Sequence, residues 1–177
     1  MRTDQPGTEA SFAPLLALTG APGAGKTTLL PALVRLGNGL VVMDIDELLE
    51  DGNLLGVPIA RPAAEPNWPG YDRLWRRITA MTRRSGHPVL FLCPNTPDEV
   101  PEASAWLLLD CPDDVRVRRL RARGWDAERI DEALADAAGY RARISEVVRT
   151  DQQEPEPTAT EVLAWVQRRT GYSQPSN

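Results

Sequence analysis

The segment Gly20-Ala21-Pro22-Gly23-Ala24-Gly25-Lys26-Thr27 fits the pattern G-x-x-x-x-G-K-[ST] without a gap. An apolar run from Leu15 to Thr19 precedes it, and Leu29, Leu30 and Leu33 follow at helical spacing. Strand, glycine-rich turn and helix in that order make a phosphate-binding loop. The glycines let the backbone amides turn inward, and the helix N-terminus adds a partial positive charge. Residues Gly20 to Thr28 are therefore expected to cradle ATP, with Lys26 on the β- and γ-phosphates and the Thr27 hydroxyl on Mg²⁺. Lys26 is the only lysine in the chain; the other nineteen basic residues are arginine. A compact ammonium fits inside a ring of amides where a planar guanidinium does not.

A chain of 177 residues with 42% apolar content suits a single domain. Residues 1–11 are polar and aperiodic and are expected to form a loose tail, leaving 12–177 as the folded unit. After the first apolar run come three more, Leu40 to Met43, Val89 to Cys93 and Trp106 to Asp110, with a weaker fifth from Ser145 to Arg149. Short unbroken apolar runs suit strands covered on both faces. Helical periodicity lies between them, in Tyr71, Leu74, Trp75, Ile78 and Met81, then in Ile130, Leu134, Ala137, Tyr140 and Ile144. A last helix is expected after Thr158 and Glu161, which have capping-box spacing, with Gln152 to Pro157 as the loop before it. Alternating strand and helix predict an α/β domain with right-handed crossovers. Pro31 falls inside the first helix and predicts a kink. Cys93 and Cys111 read as buried thiols, and His87, beside Pro88, as a turn residue.

The formal charge of -5 and pI near 5.0 argue against a nucleic-acid partner. No run is long enough to cross a bilayer, and no signal segment precedes Phe12, so no membrane partner and a cytoplasmic location are expected. The N-K-x-D motif of guanine-specific GTPases is absent. Motors and helicases end a core strand in a magnesium-holding carboxylate, whereas the run Val89 to Cys93 ends in Cys93-Pro94-Asn95.

From Leu15 to Arg169 the chain resembles the small P-loop kinases that phosphorylate nucleotides, shikimate, gluconate or antibiotics. The resemblance rests on the phosphate loop, on Asp44-Ile45-Asp46 after the second strand, on the arginines 116, 118, 119, 121 and 123 before Gly124, and on Tyr140-Arg141-Ala142-Arg143. It implies a three-layer α/β/α P-loop NTPase fold with a five-stranded parallel sheet and a short helical lid at about 116–128. Of the two aspartates it implies that one lies near Mg²⁺ and the other holds the acceptor hydroxyl. Alternation along an extended segment puts Asp44 and Asp46 on one side; Asp46 is assigned to the hydroxyl and Asp44 to the metal shell or the base, although the two could be exchanged, and an N-cap at either is an alternative reading. Arg119 and Arg123 match the lid arginines that stack on adenine and reach the phosphates. Arg141, with Arg143, matches a further phosphate-facing arginine more poorly.

The resemblance places the acceptor over the second and third strands, among Asp46, Arg61, Trp68, Tyr71 and Asn95. Between Asp44 and Trp68 the only arginine is Arg61, which favours a neutral or weakly charged acceptor over a nucleoside monophosphate. The expected activity is ATP-dependent transfer of the γ-phosphate to a small-molecule hydroxyl, by a monomer or homodimer. A nucleoside monophosphate kinase and a nucleotide-binding regulatory ATPase are the alternatives.

Overall fold

The computed structural model describes residues 12–152 and 154–171. The expected N-terminal tail lies outside them. Five parallel strands form the sheet: β1 (Leu15–Thr19), β2 (Val41–Asp44), β5 (Val89–Leu92), β6 (Ala105–Asp110) and β7 (Val147–Arg149), in the order β2-β5-β1-β6-β7. Every residue of β1 is buried, because this strand is central and helices cover both its faces. Side-chain alternation divides the core in two. Leu16 and Leu18 join Leu90, Leu92, Leu107 and Leu109 under α1 (Lys26–Leu36) and α5 (Pro155–Thr170). Leu15, Ala17 and Phe91 face the other way, against Tyr71 and Trp75 of α2 (Trp68–Arg84). Leu108 meets Ala137 and Tyr140 of α4 (Ala127–Arg143) on that same second face. This is the three-layer α/β/α fold with a five-stranded parallel sheet.

α3 (Asp113–Ala122) follows β6, and Leu120 packs on Ile130 and Ala133 of α4, so most of the arginine-rich segment is seated on the body of the domain. Its charged residues are not one solvated face: Arg116 is fully buried.

Several local expectations change. Helix α1 runs through Pro31, which is exposed, so the Thr27 carbonyl it leaves without an amide partner belongs to an exposed residue. Helix α5 begins at Pro155 with Glu154 as N-cap, and Thr158 donates to the Glu154 carbonyl at 2.9 Å inside the helix. The prolines of the anticipated loop thus fall in its first turn, where a missing amide hydrogen costs nothing. The interval after β2 holds a small hairpin, β3 (Asn53–Leu54) with β4 (Val57–Pro58), that periodicity did not announce. Its two-residue turn puts Leu55 at φ 48° and Gly56 at φ 82°, the left-handed pair that matches strand twist.

Both cysteines are fully buried, and burial pushes the Cys93 thiol up to about 12 and raises that of Cys111. Iodoacetamide at mildly alkaline pH is expected to leave both unmodified in the folded protein and to alkylate both in denaturant. Intact mass measured before and after unfolding checks it.

Candidate active site

The carboxyl ends of β1, β2 and β5 meet at the loop 20–25, the edge where open parallel sheets build their sites. Here the sequence leaves little freedom. A Cβ on Gly20 would lie 2.4 Å from the Leu109 carbonyl oxygen, and Gly23 and Gly25 hold φ of 81° and 101°. Gly20→Ala is accordingly expected to lower stability by roughly 1–3 kcal/mol. Denaturant titration should show a lower midpoint with unchanged slope.

Gly25 caps α1, and Lys26 opens it. The Lys26 ammonium donates to the Gly20 carbonyl, and burial holds its pKa below the usual lysine value, against the opposing pull of Cys93, Asp44 and Asp46. Amides at a left-handed cap, a helix N-terminus free of acidic residues in its first turn and the ammonium of a half-buried lysine together fit a polyphosphate. Thr27 is exposed at the same end.

Asp44 and Asp46 are brought to Lys26 by a different route from the one alternation predicted. The strand stops at Asp44 and the chain turns into a 3-10 segment, Ile45–Leu48. Asp44 caps it, accepting the Asp46 amide at 3.0 Å, while the Asp44 amide donates to Glu47 at 3.3 Å. Asp44 is buried and Asp46 exposed. Burial raises the Asp44 pKa, and Lys26 partly offsets this.

Tyr71 is corrected. It is 5% exposed and cannot stack on an acceptor; its hydroxyl and the Trp75 indole, the latter at 3.1 Å, donate to the Ile45 carbonyl. Both rings therefore fix the turn between the two aspartates. Trp68 is 42% exposed, and its indole donates to Ile59 at 2.9 Å, tying α2 to the hairpin strand end. Arg61 is exposed at the N-cap of the 3-10 turn Pro62–Asn67. Asn95 lines a small cavity of about 100 Å³ with Ile45, Trp75 and Phe91.

On the other side of the loop, a cleft of about 570 Å³ is lined by Gly25, Thr28, Arg119, Arg123, Thr150 and Asp151 among others. Arg119 donates to the Gly23 carbonyl at 3.1 Å and to Thr150 Oγ1 and carbonyl at 3.0 and 2.7 Å. Arg141 is also corrected: Asp110 takes its donors at 2.8 and 3.1 Å, and Asp113 and the Cys111 carbonyl take others at 2.8 and 3.0 Å. These carboxylates raise the Arg141 pKa, and the same contact lowers that of Asp113. Arg141 thus ties α4 to the base of α3. Arg143 donates to the Gly139 carbonyl one turn back on its own helix, at 3.5 Å. Thr150 is a site residue that no pattern revealed; it follows β7, and only the pairing of β7 with β6 brings it to the loop.

Strand order, phosphate loop and flanking carboxylates define a P-loop domain with the fold of the small kinases. The chain belongs to the family described as an AAA domain, which it matches over residues 16–141. No curated protein matches it. Among solved structures, it is similar to a sugar kinase from Janibacter sp. at 21% identity and TM-score 0.60, covering 88% of this chain and 95% of that one. Shikimate kinase from Acinetobacter baumannii in complex with shikimate gives 16%, TM-score 0.62 and coverages of 88% and 94%. A tunicamycin resistance protein from Deinococcus radiodurans gives 18%, 0.64, 87% and 95%. At these identities the likeness establishes the fold. Among the described residues, no helix is long and apolar enough to cross a membrane.

Proposed function

We propose that the protein transfers the γ-phosphoryl group of ATP to a hydroxyl of a small-molecule acceptor. The observation that carries this reading is the placement of Asp44 and Asp46 close enough to act on the charge of Lys26, with one carboxylate buried and the other open to solvent. ATP bound with Mg²⁺ supplies an electrophilic γ-phosphorus and a leaving group of reduced charge. Asp46 positions the acceptor hydroxyl and takes its proton as the oxygen–phosphorus bond forms. The bond from γ-phosphorus to the bridging oxygen breaks, and ADP leaves.

Lys26 and the inward amides hold the transferred charge. Thr27 and Asp44 are the residues that would hold Mg²⁺. Arg119 and Arg123, with Thr28, line the cleft proposed for the base and outer phosphates. On the acceptor side Arg61 and Trp68 are exposed, and Arg61 is the only arginine between Asp44 and Trp68, which suits a neutral or weakly charged alcohol.

The test is a thermal-shift screen of hydroxylated metabolites, antibiotics and nucleoside monophosphates with a non-hydrolysable ATP analogue, since ligands of the native state raise its melting temperature. Hits then enter an ADP-release assay with mass detection of the product. A phosphorylated alcohol supports the proposal, and conversion of a monophosphate to a diphosphate replaces it with a nucleotide kinase. Tight ATP binding without any phosphorylated product sinks both and leaves a regulatory ATPase.

A further inference from the structure

We propose that Arg116, buried beneath the phosphate loop, is a positioning residue that holds the loop's carbonyls outward so that its amides face the triphosphate. The inference rests on the reading that this loop binds a triphosphate, and on nothing about the acceptor. A loop whose amides converge on an anion must turn its carbonyls away, and those need partners of their own. The structure supplies one for each. Gly20 accepts from Lys26, and Gly25 from the Leu29 amide at 3.0 Å. The Gly23 carbonyl accepts from Arg119, and that of Ala24 from Thr150 Oγ1 at 2.7 Å. The tip belongs to Arg116, whose Nη1 lies 2.7 Å from the Pro22 carbonyl; the Ala21 carbonyl, 3.3 Å from the same atom, also accepts from the Ala24 amide at 3.1 Å.

Arg116 is a costly way to fill this position. It is 0% exposed, and an apolar side chain of similar volume would avoid the desolvation of a guanidinium. Its Nε has no hydrogen-bond partner among the described residues, which adds to that cost. Asp110 turns the fork toward the loop through Nη2 at 2.5 Å, and the arginine stem passes 3.2 Å from where a Cβ on Gly23 would sit. Stem and head thus both shape the loop. Asp110 also keeps Arg141, so removing Arg116 does not strand a buried carboxylate.

The test titrates ATP and inorganic tripolyphosphate into wild type, Arg116→Met and Arg116→Lys by calorimetry, with melting curves for each. Tripolyphosphate reads the cradle without a base. For Arg116→Met both dissociation constants are expected to rise about tenfold, the scale of a lost charge-assisted bond. Arg116→Lys, which keeps the charge with a less suitable geometry, is expected to fall between. With an acceptor in hand, KM for ATP rises while KM for the acceptor does not. An Arg116→Met protein that melts lower yet binds tripolyphosphate like wild type overturns the proposal and leaves Arg116 a packing residue. Should the methionine variant fail to fold, wild-type affinity in Arg116→Lys overturns it and a loss of about threefold supports it. If wild type itself binds neither probe, the triphosphate reading falls first, and the role of Arg116 with it.

Discussion

Replacing Lys26 by methionine is expected to lower turnover by on the order of 10³-fold while leaving a folded protein, the scale seen when a preorganised group facing transition-state charge is removed. The side chains have similar length, and the loop keeps its glycine geometry. What disappears is an ammonium whose charge burial disfavours and which an anionic ligand would favour. A second effect adds to the first. Lys26 lowers the Asp44 pKa against the upward push of burial, and without it Asp44 moves further up and is less often the anion that a metal needs. Single-turnover phosphoryl transfer with saturating ATP reads the chemical step, and calorimetry reads affinity separately. Activity within about tenfold of wild type would remove Lys26 from the mechanism and take the proposed function with it.

Much of this site was legible in the sequence because its constraints are local. The phosphate loop's glycine conformations and its lysine fall within eight residues, so a pattern announces it, even though Leu109, Arg116, Arg119 and Thr150 arrive from distant segments to hold it. Four of the strands were legible for a similar reason, as short unbroken apolar runs, whereas the edge strand β7, with only Val148 buried, gave a weaker signal. Elsewhere the deciding contacts span distant segments. Tyr71 shares its helical stripe with Trp75, and nothing in the spacing says that its hydroxyl reaches the Ile45 carbonyl. Arg116 and Arg119 are three residues apart on one arginine-rich helix, yet one is buried on Pro22 and the other ties Gly23 to Thr150. Composition cannot distinguish them, because burial of an arginine is decided by the carboxylate and carbonyls it meets, and those arrive from β6 and the loop. Arg141 illustrates the converse, an arginine that family resemblance turned toward a ligand and that Asp110 and Asp113 turn toward the body of the protein.

The two aspartates are where structure goes furthest beyond pattern, since it gives different surroundings to residues that the sequence left interchangeable. Asp44 is engaged as a cap, buried, and accepts the Asp46 amide; Asp46 is exposed on the turn that Tyr71 and Trp75 anchor. Asp46→Asn is therefore expected to cut kcat on the acceptor that the screen returns by about 10²–10³-fold, the range for losing a general base. Its ATP affinity stays near wild type, and its stability stays within about 0.5 kcal/mol, as for other surface substitutions. Asp44→Ala differs in kind. It loses a cap, at about 1 kcal/mol, and it removes a candidate metal ligand, so stability and Mg²⁺-dependent nucleotide affinity fall together with turnover. The comparison is informative because each variant serves as control for the other: a defect confined to kcat in Asp46→Asn, beside a combined defect in Asp44→Ala, is the expected pattern. Unchanged kcat in Asp46→Asn would move the base to another group and exchange the roles assigned here.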